Sequence, residues 1–319
     1  MSDQLDVVTL GETMLRFSPP LGETFESAST FQVDPGGAES NVAVALARLG
    51  LRVGWVSRVP DNALGQRVVG EIRRHGVDTS RVIWAQGERV GTYYIDLGRP
   101  PRSTNVIYDR AGSAFSRIEP GQVDWAYVRQ ASWLHLSGIT PALGAGPRRT
   151  IEQAIQEAVS HNRVVSFDVN YRARLWTPEE AAAVLAPLLS RVTIIQGTMR
   201  DTALLFGTPP ESGPAARALF ERFHPRLVLV TEGEAGAVAY DGTEHRVPVI
   251  PTETVDPVGS GDAFAAGFIA GYRMGGVAQG LAWGTALAAL KRTYRGDLLW
   301  ASADELRAVL DGPGQNIVR

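Results

Sequence analysis

The sequence contains no cysteine, which excludes disulfide bonds, thiolate metal sites and thiol nucleophiles. It also has no uncharged apolar run long enough to span a membrane, and its first residues lack the basic and apolar regions of a signal peptide. We therefore expect a soluble protein that works in the reducing cytoplasm.

An excess of charge of either sign is missing as well. Lysine and arginine total 31 against 34 acidic residues, which gives a formal net charge of −3. This balance offers no basic surface for nucleic acid or an anionic membrane, so we expect small molecules as partners. The length of 319 residues and the 44% hydrophobic content indicate one large α/β unit, or such a unit with an appendage.

Short apolar runs rich in β-branched residues alternate along the chain with segments of helical period. Near-continuous apolar character is typical of strands that are buried on both faces, as in a mainly parallel sheet. This order predicts a doubly wound α/β fold with helices on both faces of the sheet. The predicted strands are 6–10, 53–57, 164–169, 192–196, 227–231 and 237–240. The predicted helices are 38–49, 61–75, 146–161, 178–190 and 212–223, and helices also dominate from 259 to 310.

Two segments depart from this alternation. Residues 12–35 and 89–115 combine alternating polarity with turn residues and show no helical period. We interpret them as antiparallel strands that pair as a small sheet over one edge of the main body. The sequence thus predicts one α/β domain over residues 1–319, with a lid built from two insertions. The exposed face of such a sheet also suits a contact between subunits, so we expect a homo-oligomer, a dimer or a larger assembly.

The segment TVDPVGSGDAFAAGF, residues 254–268, places glycines and an acid at the start of a small-residue helix. The N–H groups of Gly259, Ser260 and Gly261 would have no intrahelical partners, so they could hold a phosphate or an oxyanion. Asp262 would repel such a group unless it accepts a proton beside it, which predicts a general base in phosphoryl transfer. An acid that merely stabilises the helix dipole is the alternative.

Other nucleotide motifs are missing from the chain. It has no GxxxxGK[ST] loop, which excludes a P-loop enzyme. The GSGDAF segment lacks the third glycine of a GxGxxG fingerprint and comes late in the chain, which argues against dinucleotide binding.

Two motifs carry a resemblance to a known family. DPVGSGDAFAAGF (256–268) resembles the C-terminal DTxGAGD signature of the ribokinase-like (PfkB) carbohydrate kinases, and PGGAESNVAVALARLG (35–50) resembles their N-terminal signature. The motifs stand in the expected order, and the resemblance spans essentially the whole chain. Three further segments are most similar to 2-keto-3-deoxygluconate kinases: IYDRAGSA (107–114), SWLHLSGITPAL (132–143) and SFDVNYRARLW (166–176). The resemblance implies a ribokinase-like fold and ATP-dependent phosphorylation of a sugar acid at its terminal hydroxyl.

The resemblance also implies a sugar site. Asp262 would activate the sugar hydroxyl, while a pair of arginines would supply planar, bidentate donors for a carboxylate. Tyr94 stays open as an alternative to Tyr93, because the phase of that strand is not fixed by the sequence. The implied sugar contacts are Gly36, Gly37, Asn41, Tyr93, Tyr108, Arg110 and Arg172. Without the resemblance, a plain glycine-rich turn would explain the two glycines.

The implied nucleotide and metal contacts lie elsewhere in the chain. The TEGEAG turn, the helix near residue 288 and the TMRD segment would serve ATP and Mg²⁺, although TMRD (198–201) stands where the family has NxxE. The nucleotide contacts are Thr231, Gly233, Gly236, Ala286 and Ala289, and the metal contact is Asp201. A potassium requirement stays open, since Asp256 would shape either the preceding turn or a cation loop.

Three other functions compete with a sugar-acid kinase. A kinase of a neutral sugar, such as fructose or ribose, would use the same core without the arginine pair. A sugar- or nucleotide-sensing protein would keep the fold and lose catalysis, against which the intact GSGD argues. A dehydrogenase is disfavoured by the glycine pattern.

Overall fold

The secondary structure closely follows the predicted alternation. The computed structural model describes residues 4–99 and 101–312. The strands of this part of the chain are β1 (Val7–Leu10), β2 (Met14–Ser18), β3 (Gln32–Gly36), β4 (Val53–Val56), β5 (Arg58–Pro60), β6 (Ile83–Ala85), β7 (Thr92–Asp96), β8 (Asn105–Asp109), β9 (Trp133–Ser137), β10 (Val164–Asp168), β11 (Ile194–Thr198), β12 (Leu227–Thr231), β13 (Ala237–Tyr240) and β14 (Glu244–Val247). Its helices are α1 (Ala38–Arg48), α2 (Ala63–Arg74), α3 (Trp125–Gln130), α4 (Ala145–Ser160), α5 (Pro178–Leu189), α6 (Met199–Phe206), α7 (Ser212–Phe223), α8 (Ser260–Arg292) and α9 (Ala303–Leu310).

Local sequence signals explain several helix boundaries. The hydroxyl of Thr177 accepts a hydrogen bond from the N–H of Glu180 at 3.2 Å, and the Glu180 carboxylate accepts one from the N–H of Thr177 at 2.9 Å. This reciprocal pair satisfies two free donors at the start of α5 and, with Pro178 in the first turn, fixes where the helix begins.

Among the described residues, no helix is long and apolar enough to cross a membrane.

The central element is an eight-stranded sheet in the order β14-β13-β12-β11-β10-β9-β1-β4. Strands β4, β1, β9, β10, β11 and β12 run parallel, and β13 and β14 continue the sheet antiparallel. The predicted doubly wound, mainly parallel fold is therefore confirmed. Parallel direction brings the carboxyl ends of β1, β9, β10, β11 and β12 to one edge, the edge at which such sheets bind ligands.

Both faces of the sheet are covered by apolar packing. On one face, α1 and α8 pack on strand residues such as Trp55, which is fully buried. On the other face, α4, α5 and α7 pack on residues such as Leu10 and Phe167, also fully buried. Each side chain of this size contributes roughly 1.5–3 kcal/mol when buried, so the sheet is a rigid support for the residues at its edge. His135 of β9 bonds through Nδ1 to the Ser166 hydroxyl at 2.9 Å, as expected of a packed residue.

The two inserted segments form one four-stranded sheet in the order β3-β2-β7-β8, which we call the lid sheet. The two segments pair as predicted, and within each segment the strands are antiparallel, β2 with β3 and β7 with β8. The direction differs only where one segment meets the other. Strands β2 and β7 run parallel, whereas the sequence predicted antiparallel pairing. The two strands belong to different insertions and are separated by a long connection, so no hairpin forces them to run in opposite directions.

Helix α8 folds back on itself. Gly275 and Gly276, with φ of −151° and +80°, divide it into two arms that run antiparallel. The arms approach closely because glycines line their contact: a Cβ on Gly267 would lie 2.5 Å from the carbonyl oxygen of Trp283. The fold-back brings the last turn of the helix, which carries Lys291, beside its own start.

Candidate active site

The start of α8 has the geometry of an anion-binding site. Gly259 caps the helix with φ of +82°, and a Cβ there would lie 2.2 Å from the carbonyl oxygen of Asp297, so only glycine fits. Among the hydrogen bonds of the described residues, none uses the N–H of Gly259 or Gly261. The N–H of Ser260 donates to the carbonyl of Pro257 at 3.2 Å. Of the three amides predicted to hold an anion, those of Gly259 and Gly261 are therefore free to donate in this conformation, and that of Ser260 is not.

Asp262 lies in the first turn of α8 and is half-buried. The amide Nδ2 of Asn41 donates to its Oδ2 at 2.7 Å and fixes the carboxylate. Burial raises the pKa of Asp262 to about 6, although the Asn41 hydrogen bond and the charge of Arg172 act in the opposite direction. A carboxylate of this pKa is a stronger base than an exposed aspartate and is still largely ionised at neutral pH.

A polar cavity of about 90 Å³ opens beside Asp262. Its walls include all of the residues predicted to contact a sugar, namely Gly36, Gly37, Asn41, Tyr93, Tyr108, Arg110 and Arg172. A neighbouring cavity of about 290 Å³ shares Tyr108, Arg110 and Arg172 with it. We call the two together the sugar-side cavity. The structure thus brings together residues from α1, the lid sheet, the loop after β10 and α8.

The glycine pair of the sugar-side cavity is needed for packing. A Cβ on Gly36 would lie 2.5 Å from Oδ2 of Asp297, and a Cβ on Gly37 would lie 2.1 Å from the carbonyl oxygen of Glu12. These contacts require glycine at both positions whether or not a sugar binds there. The glycines let the lid sheet and α1 approach each other closely.

The structure shows which side chains of β7 face the sugar-side cavity. The ring of Tyr93 faces the cavity, stacks on Tyr108 with centroids 5.7 Å apart, and donates its hydroxyl to Asp297 at 2.6 Å. Tyr94 points to the other face of the lid sheet, where it stacks on Phe17. Of the two alternatives left by the sequence, Tyr93 is the one that lines the cavity.

Arg110 is held by a residue that the sequence did not single out. Its Nε donates to Oε2 of Glu12 at 2.9 Å, and its Nη2 donates to the same oxygen. The hydroxyl of Ser113 donates to the other oxygen of Glu12. Arg110 and Glu12 are both buried, so the pair fixes the guanidinium at the cavity wall. A single acid after the first strand belongs to no motif, which is why Glu12 was not predicted from the sequence.

A buried ion-pair network lies under the sugar-side cavity. The guanidinium of Arg16, which is fully buried, donates to Asp256 at 2.7 Å and to Asp297 at 2.8 Å. Asp256 also accepts the N–H of Val258 at 3.0 Å, so it shapes the turn before α8, one of the two roles expected of it. Arg16 and Asp297 were not predicted, because their partners lie far apart in the sequence.

Two more acids at the edge of the main sheet were missed. Burial raises the pKa of Glu39 in α1 to about 7 and that of Asp168 at the end of β10 to about 8. The charge of Asp262 acts on both carboxyls in the same direction. At neutral pH the Asp168 carboxyl is therefore mostly protonated and the Glu39 carboxyl about half protonated, so the carboxyls close to Asp262 do not all carry a charge at once.

A second cavity, of about 300 Å³, lies on the other side of the α8 start. It is lined by Ser260 and Gly261, and by the predicted nucleotide contacts Thr231, Gly233 and Gly236. We call it the nucleotide-side cavity. Gly236 is required by the fold as well, since a Cβ there would lie 2.1 Å from the carbonyl oxygen of Val247.

The predicted adenine contacts are placed differently. Ala286 and Ala289 are buried on the side of α8 that faces the protein, and neither lines the nucleotide-side cavity. Thr285 and Ala288 line it instead, together with Arg292. Those residues follow a spacing of three and four, which places them on one face of the helix. The predicted helix thus forms part of the cavity wall through neighbours of the two predicted residues, and the adenine contacts themselves stay a prediction.

Asp201 lies in the first turn of α6, where its N–H donates to the Thr198 hydroxyl at 3.0 Å. Burial raises its pKa, although the charge of Arg172 acts against this. Thr198 lines the nucleotide-side cavity, so Asp201 is one turn of helix from it. In the described part of the chain no three acidic or histidine side chains are grouped to hold a metal by themselves.

Comparisons with known proteins agree with this geometry. The sequence model of the pfkB family carbohydrate kinases matches residues 4–302. A 2-dehydro-3-deoxygalactonokinase from Haloferax volcanii is 42% identical over 316 residues, which cover 98% of this chain and 99% of that protein. A 5-dehydro-2-deoxygluconokinase from Clostridium tetani is 32% identical and covers 90% and 86% of the two chains. The crystal structure of a 2-dehydro-3-deoxygluconokinase from Thermotoga maritima superposes with a TM-score of 0.89 at 33% identity, covering 97% and 99%.

Proposed function

The chain belongs to the pfkB family of carbohydrate kinases, and from that premise we propose that it phosphorylates a 2-dehydro-3-deoxy sugar acid with ATP. The preferred substrate is 2-dehydro-3-deoxygluconate, also called 2-keto-3-deoxygluconate, and the product is its 6-phosphate. Relatives named for this substrate, for its galactonate epimer and for a 5-dehydro isomer support the class. The reaction is a step of Entner–Doudoroff-type sugar breakdown, which we place in the cytoplasm.

Asp262 is the general base of this proposal. The terminal hydroxyl of the sugar acid gives its proton to the Asp262 carboxylate, and its oxygen forms a bond to the γ-phosphorus of ATP. The bond from that phosphorus to the bridging oxygen breaks, and ADP leaves with the electron pair. The half-buried position and the raised pKa of Asp262 support this role, and the Asn41 hydrogen bond leaves its Oδ1 available for the hydroxyl.

The free amides of Gly259 and Gly261 are proposed to stabilise the phosphoryl group in transfer. They lie between the two cavities, since Gly259 lines the sugar-side cavity and Gly261 the nucleotide-side cavity. A γ-phosphate at this position would meet the positive end of the α8 dipole. This shared boundary is the observation that carries the proposal.

The sugar acid is recognised by charge and by aromatic packing. Arg110 and Arg172 line the sugar-side cavity and would bind the carboxylate at the end of the substrate opposite its terminal hydroxyl. Tyr93 and Tyr108 would pack on the carbon chain. Glu12 already pairs with two donors of Arg110, whereas Arg172 donates from Nη1 to the carbonyl of Tyr171 and keeps its other donors for the carboxylate.

ATP and Mg²⁺ complete the site. Thr231, Gly233 and Gly236 would lie along the phosphates and ribose, with Thr285 and Ala288 near the base. Mg²⁺ keeps most of its waters and needs few carboxylates when it binds phosphate oxygens, so Asp201 with its raised pKa fits as the protein ligand. When bound, the metal neutralises charge on the β- and γ-phosphates.

The lid sheet is proposed to close on the sugar acid and exclude water that would hydrolyse ATP. It contributes Tyr93 and Tyr108 to the cavity wall, and Arg110 follows directly after its last strand. The exposed face of the same sheet, which carries Ile107, suits the contact of a homodimer.

A substrate panel tests the proposed function. ATP consumption is measured with 2-dehydro-3-deoxygluconate, its galactonate epimer, 5-dehydro-2-deoxygluconate, fructose and ribose. A site with fixed arginines rejects a substrate that lacks the carboxylate, so kcat/KM for the best sugar acid is expected to exceed that for either neutral sugar about a hundredfold or more. Higher kcat/KM with fructose or ribose would overturn the proposal. The Asp262→Asn variant is the control for contaminating kinases.

A further inference from the structure

The chain has a single lysine in an unusual place. Of the 31 basic residues, 30 are arginines and one, Lys291, is lysine. Its side chain is fully buried. A buried ammonium is costly and lysine is seldom kept at such a position without a partner, so its presence calls for a physical reason.

The ammonium of Lys291 is held by backbone carbonyls. Its Nζ donates to the carbonyl oxygens of Asp256 and Tyr294, both at 3.4 Å. Its Nζ also lies 5.4 Å from the ring centre of Tyr294. Carbonyl oxygens around a compact positive charge are the surroundings that proteins also give to a bound potassium ion. A planar guanidinium has a different shape and could not replace the ammonium in this pocket.

Lys291 lies directly behind the anion-binding amides. A Cβ on Gly259 would lie 3.2 Å from Lys291 Cε, so the end of the lysine side chain touches the residue that starts α8. The antiparallel arms of α8 create this contact. The charge of Lys291 acts to lower the pKa of Asp262, against the larger effect of burial, in keeping with an ammonium close to this carboxylate.

Lys291 adds a cation to the charged groups behind the amides. Its ammonium and the Arg16 guanidinium both interact with the carboxylates of Asp256 and Asp297. Without Lys291 these two carboxylates would lose one of those cations behind the site that is to hold a phosphoryl group. Burial lowers the pKa of Lys291, while the charges of Asp256 and Asp297 act in the opposite direction.

We propose that Lys291 is a positioning residue whose ammonium serves as a built-in monovalent cation behind the amides of Gly259 and Gly261. The inference rests on the proposed phosphoryl transfer and goes beyond it. It answers the potassium question that the sequence left open: the enzyme works without potassium because the place of the ion is occupied by its own side chain.

The test compares two variants that remove the charge in different ways. Lys291→Ala leaves a space that a cation can enter, whereas Lys291→Met fills the space without charge. Turnover of the best sugar acid is measured while potassium or ammonium chloride replaces tetramethylammonium chloride at constant ionic strength. We expect less than about a twofold change in kcat for the unmodified enzyme, because its cation is already in place.

For Lys291→Ala in tetramethylammonium we expect kcat to fall about a hundredfold, a loss typical of removing one stabilising group at an anion site. With potassium or ammonium, kcat should recover at least about tenfold. Lys291→Met should lose kcat similarly and recover nothing. Arg48→Met is the matched control, because Arg48 also binds backbone carbonyls, those of Trp300 and Ala301, but lines neither the sugar-side nor the nucleotide-side cavity. It should change stability and gain no cation dependence.

A second readout does not depend on the reaction. Without substrates, potassium should raise the Tm of Lys291→Ala and leave that of the unmodified protein and of Lys291→Met unchanged. Strong potassium activation of the unmodified enzyme would overturn the proposal. A folded Lys291→Ala variant that no cation affects would also overturn it. A Lys291→Met variant with the kcat of the parent would do the same, and this second outcome decides the question even if Lys291→Ala does not fold. Failure of all substrates to react would instead count against the proposed function and leave the Tm readout intact.

Discussion

The two cavities on either side of the start of α8 are lined by different kinds of residues. The sugar-side cavity is lined by charged and aromatic side chains that long-range ion pairs hold in place, such as Arg110 on Glu12. The nucleotide-side cavity, of about 300 Å³, is lined mainly by glycines, threonines and small apolar side chains, with one arginine, Arg292. In the proposed function, side chains would select the sugar acid on one side, and backbone and cavity shape would accept the nucleotide on the other.

This difference matches the two proposed tasks. A sugar acid has a fixed negative group that oriented guanidinium groups can recognise, and the cost of leaving those groups unpaired discriminates against neutral sugars. A nucleotide is bound through its phosphates, which backbone N–H groups can hold at any helix start. We therefore expect substitutions on the sugar side to change specificity and those on the nucleotide side to change affinity for ATP alone.

The largest effect is expected at the boundary between the cavities. Asp262→Asn keeps the size of the side chain and removes the base, so kcat should fall on the order of a thousandfold. Binding of ATP and of the sugar acid, measured by calorimetry, should change little. Turnover within tenfold of the parent would show that another group accepts the proton.

The sugar side is tested through specificity. Arg110→Ala should lower kcat/KM for the sugar acid about a hundredfold and that for fructose or ribose much less, since only the acid loses a charge-assisted contact. The ratio between substrates is the measured quantity, because removing Arg110 also leaves Glu12 unpaired and destabilises the fold. Arg89→Ala is the control: Arg89 pairs with Asp109 on the surface of the lid region. Equal losses on both substrates would contradict a carboxylate contact.

The pH dependence should report the base at the boundary. With the pKa of Asp262 raised to about 6, the ionised base is lost as the pH falls through that value. The logarithm of kcat/KM should then drop with a slope of about one, or tenfold per pH unit, below pH 6. Glu39→Gln should leave this limb in place although burial raises the pKa of Glu39 to about 7. Because the charges of Glu39 and Asp262 act on each other, a small shift of the limb to lower pH agrees with this assignment, whereas loss of the limb in Glu39→Gln would assign the proton to Glu39.

The nucleotide side should respond to bulk and not to charge. Ala288→Phe narrows the nucleotide-side cavity and should raise the KM for ATP about tenfold through overpacking, with the KM for the sugar acid unchanged. Ala288→Ser, which adds little volume, should behave as the parent. A rise in both KM values would mean that the two cavities are coupled through α8.

Local patterns predicted most of the fold and the glycine-rich parts of the site. The sheet, the two-segment lid and the GSGD helix start follow from periodicity and motif, and Gly233 and Gly236 lie where the TEGEAG turn placed them. These features depend on residues close together in the chain, which is why a single sequence reveals them.

Features that depend on long-range contacts were missed or misplaced. Glu12 and Arg110 are 98 positions apart in the sequence, and Arg16 and Asp297 are 281 apart. No rule of residue spacing applies over such sequence separations. Which face of α8 lines the nucleotide-side cavity was not predicted, because GLAWGTALAAL has small residues on all sides and no polar stripe to set the phase. The direction of β2 against β7 was missed for lack of a hairpin.

The most direct measurement is a crystal structure of the enzyme with the sugar acid and a non-hydrolysable ATP analogue. We predict that an oxygen of Asp262 lies within hydrogen-bond reach of the terminal hydroxyl, about 2.6–3.2 Å away. We also predict that the γ-phosphate lies against the amides of Gly259 and Gly261. A hydroxyl bound out of reach of Asp262, with the γ-phosphate away from those amides, would contradict both predictions.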